Sequence, residues 1–111
     1  MNKLVLKSFG KTYIYNPSDV VYIGSSGRKI IVHTASEDGE FYGKLHDVEE
    51  QLPNCFARCH KCYSVNLDFV STCGSSQVTL VDGTTLPVGR SFKDSFNQAL
   101  EQFLSAELVH E

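Results

Sequence analysis

With 111 residues and a formal net charge of -3, the chain is long enough for one domain with a single core and too short for two layered catalytic lobes. Its hydrophobic and charged fractions, 41% and 21%, are ordinary, and no apolar run approaches the roughly 20 residues of a bilayer-spanning helix, so a soluble protein is expected. The acidic balance excludes an evenly basic surface, so any anion-binding role depends on where the cations sit.

Strand signals dominate the first forty residues. Leu4, Leu6 and Phe9, then Tyr13 and Tyr15, then Val20 and Tyr22, then Ile30 and Val32 recur with a period near two. No charged n-region followed by an apolar stretch occurs in residues 1 to 15, so a cytoplasmic location is expected. Asn16-Pro17-Ser18 interrupts the pattern, because proline fixes φ and lacks an amide donor, and a strand is expected from Asp19 to Gly24. Ser25-Ser26-Gly27 marks a hairpin tip that places Arg28 and Lys29 on its rim. Beyond Glu37-Asp38-Gly39 a short strand is expected through Phe41.

Leu45, Val48, Glu49 and Leu52 have helical spacing, and the pattern stops at Pro53-Asn54, which predicts one short helix. Strands are expected at 55–58, 63–65 and 67–72, followed by the alternating Val78 and Leu80. Asp82-Gly83 is a hairpin signal, and Leu86 and Val88 return on a partner strand where Pro87 requires an edge or a bulge. From Phe92 the period changes: Phe92, Phe96, Leu100, Phe103 and Leu104 form one apolar stripe, predicting a helix over about 91–108. Ser91 is its expected N-cap, with Asp94 completing an acidic capping pattern. The aromatic rings at 13, 15, 22, 41, 42, 56, 63, 69 and 92 are read mostly as core.

The run Phe56-Ala57-Arg58-Cys59-His60-Lys61-Cys62-Tyr63-Ser64-Val65-Asn66 combines cations and hydrogen-bonding groups in β-compatible sequence with no acid, which suits an anion. Acids collect at Glu37, Asp38, Glu40, Asp47, Glu49 and Glu50 and again at Glu101, Glu107 and Glu111. Arg28, Lys29, Arg58, Lys61, Arg90 and Lys93 lie in acid-poor stretches, a segregation that allows one attractive face. A guanidinium fork matches a guanine edge, so Arg28 and Arg90 are the candidate base readers, with Lys61 third. Lys29, His60, Ser91 and Lys93 are candidates for phosphate or sugar contacts. Arg58 and His60 divide between scaffold and ligand roles, whereas Asn66 reads as scaffold, because a buried amide usually satisfies strand-end carbonyls.

Gly27-Arg28-Lys29, Phe41-Tyr42-Gly43-Lys44-Leu45, the Phe-x-Arg-x-His spacing at 56, 58 and 60, Val65-Asn66 and Leu86-Pro87-Val88-Gly89-Arg90-Ser91 occur in that order. Together they resemble the LytTR DNA-binding domain of bacterial response regulators, over nearly residues 3–96 of a chain expected to be one domain from 1 to 111. The resemblance implies a mainly β fold: an elongated antiparallel multi-sheet sandwich with one short helix and a C-terminal amphipathic helix. It implies DNA-contacting loops at Gly27-Arg28-Lys29, at the turn after Arg58-Cys59-His60-Lys61, and at Gly89-Arg90-Ser91, each entering a major groove of double-stranded DNA. It also implies the output domain of a two-component transcriptional regulator that binds direct repeats in promoters as a homodimer, without cofactor or catalysis. Family members usually carry an N-terminal receiver, so this chain is expected to be a fragment of a longer regulator or a free-standing member. The tail from Asn97 to Glu111 reads as a longer helix than the family minimum.

Two alternatives compete. Cys55, Cys59, Cys62 and Cys73 are read as thiols in a chain expected inside the cell. The spacing Cys55-x-x-x-Cys59-x-x-Cys62 matches that of radical SAM iron-sulfur enzymes, with Cys73 and His60 as further ligand candidates for a metal. Those enzymes need a much larger α/β frame, and extended backbone sends Cys59 and Cys62 to opposite faces. A free cysteine more often packs as a small hydrophobe, and thiol oxidation is a weaker regulatory alternative. No nucleophile elbow or phosphate-cradling glycine loop is present, so no enzyme is expected. The stronger alternative is a non-catalytic β-rich protein-interaction module, which steep salt dependence would separate from DNA binding.

Overall fold

The structure, a computed structural model, describes residues 3–108; the end of the expected tail, Glu111 included, lies outside them. Among the described residues, three antiparallel sheets and two α-helices make up an elongated body of 44 × 31 × 24 Å. Strands β1 (Leu4–Ser8) and β2 (Lys11–Tyr15) form a hairpin. The central sheet contains β3 (Val20–Ser26), β4 (Lys29–Thr34), β5 (Asp38–Tyr42), β6 (Phe56–His60) and β7 (Tyr63–Asn66) in the order β5-β4-β3-β7-β6. The third sheet, β10-β9-β8, is built from β8 (Val70–Cys73), β9 (Gln77–Leu80) and β10 (Thr85–Pro87). Helix α1 (Leu45–Glu49) joins β5 to β6, and α2 (Lys93–Leu108) follows β10.

The central sheet is covered on both faces, so its strands carry apolar residues of both parities. One core gathers Leu4, Val20, Ile23, Ile30, Val32, Phe41, Leu45 and Val48 beneath the β1–β2 hairpin and α1. The other gathers Val21, Cys59, Val65, Val78, Leu80, Leu86 and Phe96 beneath the third sheet and α2. Val21 is an extra residue in the β3–β4 ladder, where Val20 pairs with Thr34 and Tyr22 with His33. That bulge turns Val21 and Tyr22 toward the second core, while Val20 and Ile23 face the first.

Several expectations are met and several corrected. Pro87 lies on β10, an edge strand, where its missing amide leaves no ladder bond unmade. The expected strand from 67 to 72 instead starts with a 3-10 turn, Leu67–Phe69, and β8 begins at Val70. Asn66 causes the change: its side-chain oxygen accepts the Asp68 amide at 3.0 Å, an Asx turn that competes with the ladder. Ser91 is not an N-cap but lies inside a 3-10 turn, Arg90–Phe92, that precedes α2. Phe9 is not a strand residue; it turns the β1–β2 hairpin at φ 50 with Gly10 at φ 79, and its ring is 94% exposed. Tyr42, read as core, is 68% exposed.

His33 joins two sheets. Its Nδ1 bonds Asp38 of β5, its Nε2 bonds Asp82 of the β9–β10 turn at 2.9 Å, and its ring stacks on Tyr22 at 4.8 Å. Burial pulls the imidazole pKa down, but hydrogen bonds to Asp82 and Asp38 outweigh it and hold it above the ordinary 6.5. The His33 hydrogen bond, aided by the Thr84 amide, lowers Asp82 from 3.8 to about 2. A raised histidine stabilises the fold fully below its unfolded pKa, and a lowered aspartate does so above its own. The joint is therefore strongest between the ordinary values, 3.8 and 6.5. Urea denaturation across pH is expected to show stability lost as pH rises through the raised pKa of His33, and lost again as it falls toward about 2. His33→Gln is expected to flatten the alkaline limb, and an unchanged limb would remove His33 as its source.

Candidate nucleic-acid interface

Three reversals of the chain meet at one end of the central sheet. The β3–β4 turn is Gly27-Arg28, with Gly27 at φ 62, a conformation that side chains disfavour at this first turn position. The β6–β7 turn is Lys61-Cys62. The third is the segment from Val88 into the Arg90–Phe92 turn. Main-chain hydrogen bonds fix their relative positions. The Ser25 amide donates to the Cys62 carbonyl at 2.8 Å, the Gly89 amide to Cys59 at 2.8 Å, and the Gly43 amide to Arg28 at 2.9 Å. Because the bonds join backbones, the turns stay together whatever their side chains do.

A depression of about 350 Å³ opens between the first two turns, lined by Arg28, Lys44, His46, Arg58 and Lys61 together with Ser25, Gly27, Gly43 and Leu45. A smaller one, about 110 Å³, lies between the second and third turns and is lined by His60, Lys61, Gly89, Ser91 and Phe92. Lys61 belongs to both. Among the described residues neither wall contains a carboxylate, so a chain that is acidic overall presents a locally cationic surface. Among the described residues, Arg28, Lys44, Lys61, Arg90 and Lys93 enter no ion pair, and all five are exposed.

The expected site residues separate into groups. Arg28, Lys61, His60 and Ser91 line the depressions. Arg90 and Lys93 are exposed beside them, where the 3-10 turn enters α2. His60 is aimed by a bulge at Cys59, the extra residue between Arg58, which pairs with Ser64, and His60, which pairs with Tyr63. Its Nδ1 accepts the Cys62 amide at 3.1 Å, which leaves Nε2 as the donor. Lys29 goes elsewhere: it faces Glu40 at 3.5 Å and lines a different hollow with Phe9 and Tyr42. Arg58 lines the larger depression, but its fork is occupied. Nη1 donates to the Lys61 carbonyl at 3.1 Å, Nη2 to Glu49, and Cζ lies 5.9 Å from the centre of the Phe92 ring. Lys44 and His46 were not among the expected site residues. The signal was the Gly43-Lys44 step before the helical pattern, which the Gly43–Arg28 hydrogen bond brings to the first turn.

The cysteines do not form a ligand set. Cys59 is fully buried among Val21, Val65 and Leu86, and that burial pushes its thiol up to about 12, which keeps it protonated. Among the described residues, no three His, Cys, Asp or Glu side chains converge as a metal site would require.

A family model described as the LytTr DNA-binding domain matches residues 10–101. The chain belongs to the LytTR DNA-binding domain family. This LytTR domain is 24% identical over 106 residues to the sensory transduction protein LytT of Bacillus anthracis, covering 90% of this chain and 43% of that protein. It is 22% identical over 69 residues to the transcriptional regulatory protein NatR of Bacillus subtilis, covering 61% of this chain and 30% of that protein. The chain thus spans less than half the length of these curated relatives. The same fold occurs in a LytTr DNA-binding domain from Bacillus cereus, with a TM-score of 0.76 and 24% identity over 90% of this chain and 97% of that one. The LytTR fold places its three turns on one side, and the family's function is DNA binding rather than catalysis. No helix among the described residues is long and apolar enough to cross a membrane.

Proposed function

We propose that this LytTR domain binds double-stranded DNA sequence-specifically, its three turns entering major grooves, as the output domain of a cytoplasmic transcriptional regulator. The observation that carries the reading is the convergence of Arg28, Lys44, His46 and Lys61 around an acid-free depression that Lys61 joins to the third turn. Arg28 and Arg90 read base edges, because each ends in a planar fork and neither enters an ion pair among the described residues. Lys61, Lys44, His60 through Nε2, Ser91 and Lys93 contact phosphate and sugar, which sets register. Lys29 contributes at the margin, and Arg58 acts on the site through Lys61. The reading extends to one domain with its core over residues 3–96, and to dimeric binding at direct repeats in promoters. A receiver or a partner regulator would then govern the spacing between two copies.

Selection from a random duplex library, followed by competition at two salt concentrations, tests the proposal. A preferred sequence should emerge, with affinity that falls steeply with salt by about 0.9 log unit per log unit for each phosphate contact. Lys61→Ala is expected to weaken binding to preferred and unrelated duplexes alike and to flatten that slope by about one contact. A slope unaltered by the substitution would take Lys61 out of the interface, and binding insensitive to salt would favour a protein-interaction module instead.

A further inference from the structure

One acid stands behind the wall of the site, paired with a side chain that lines it. Glu49, the last residue of α1, accepts a hydrogen bond from Nη2 of Arg58, and the two side chains are only 25% and 22% exposed. The other end of that guanidinium grips the Lys61 carbonyl at 3.1 Å, and its centre lies 5.9 Å from that of the Phe92 ring in the third turn. Nε of Arg58 is buried and has no partner, so these contacts alone hold the group. One guanidinium therefore ties together α1, the β6–β7 turn and the third turn, and Glu49 is its anionic anchor.

Building on the DNA-binding reading, we infer that Glu49 is a positioning residue for DNA recognition: through Arg58 it holds the Lys61 turn in the geometry that grips the duplex. The inference runs against simple Coulomb expectation. An acid within reach of phosphates repels them, and its removal would tighten binding to every duplex. Positioning demands the opposite for the preferred sequence. Without Glu49, the Arg58 fork loses its anchor, swings toward solvent and releases the Lys61 carbonyl, so Lys61 and His60 lose their register. The freed guanidinium then adds an unspecific cation to the surface.

The probes are a fluorescein-labelled duplex recovered by selection and an unrelated duplex of equal length, titrated by anisotropy with wild type, Glu49→Ala, Glu49→Gln, Arg58→Ala and the double alanine variant. Glu49→Ala is expected to bind the selected duplex about tenfold more weakly, within the usual range for coupled neighbours. Its affinity for the unrelated duplex should hold or rise. Glu49→Gln retains an acceptor oxygen for Nη2 and should recover most of the loss, which also serves if the alanine variant folds poorly. The double variant should bind no more weakly than Arg58→Ala. In the DNA-free protein, hydrogen exchange at the Cys62 amide, which is bonded to His60 Nδ1, should be about tenfold faster in Glu49→Ala.

Equal tightening on both duplexes, or additive losses in the double variant, would overturn the inference and leave the DNA reading standing. Failure of the wild type to bind either duplex would overturn the DNA reading, and unchanged Cys62 exchange in Glu49→Ala would overturn the positioning contact itself.

Discussion

Asn66→Ala is expected to lower the unfolding free energy by about 3 kcal/mol, the largest single-residue effect outside the apolar cores. Asn66 is fully buried, with Nδ2 donating to the Val20 carbonyl at 3.0 Å and to the Pro17 carbonyl at 3.3 Å, while Oδ1 accepts the Asp68 amide. It therefore ties the 3-10 turn before β3 to the 3-10 turn before β8, across 49 residues of sequence. Alanine removes all three bonds at once, and a buried polar group without a partner costs roughly 1–3 kcal/mol. Asn66→Asp should fare no better, because its second oxygen would face two carbonyl oxygens where the amide donates. Urea denaturation gives the answer directly. A loss below about 0.5 kcal/mol for Asn66→Ala, the range of ordinary surface substitutions, would mean that water replaces the amide at little cost.

Arg90→Ala is expected to cost about 1–3 kcal/mol on the preferred duplex and to relax base preference at one position. The side chain is exposed and without an ion pair among the described residues, yet its backbone is well held. The Gly89 amide bonds Cys59, the Phe92 amide bonds Gly89 at 2.9 Å, and the Val88 amide bonds Ser76 at 2.9 Å. A free guanidinium on a fixed stem loses little backbone entropy when it binds. Arg90→Lys keeps the charge and discards the fork, so it should retain the salt slope while losing discrimination. Competition between the selected duplex and single-base variants measures both. Identical base preference in Arg90→Ala would assign the reading to another side chain.

Arg58 and Arg90 differ in a way that local sequence does not encode. Both sit in acid-poor stretches, but Arg58 is spent on Glu49 and the Lys61 carbonyl, whereas Arg90 enters no ion pair among the described residues. Lys29 and Arg28 are adjacent, yet Lys29 turns to Glu40 and Arg28 lines the depression. Such outcomes depend on contacts between distant residues, which local pattern does not encode. Bulges add to the difficulty. An extra residue at Val21 or Cys59 flips every later side chain to the other face, and a period of two carries no mark of it. The Asx turn at Asn66 is open to inference, because an asparagine side chain readily accepts the backbone amide two residues on, but the apolar Leu67, Phe69 and Val70 around it suggest an uninterrupted strand.

Alternating apolar residues, glycine and proline punctuation and the terminal stripe from Phe92 to Leu104 determined by themselves a mainly β chain with one short helix and a C-terminal one, because strand and helix periods are local properties of the backbone. Which cations share a surface was decided only by the tertiary structure. The Gly43–Arg28, Ser25–Cys62 and Gly89–Cys59 hydrogen bonds bring separate turns together, and it is their joint geometry, not the net charge of -3, that creates a cationic face.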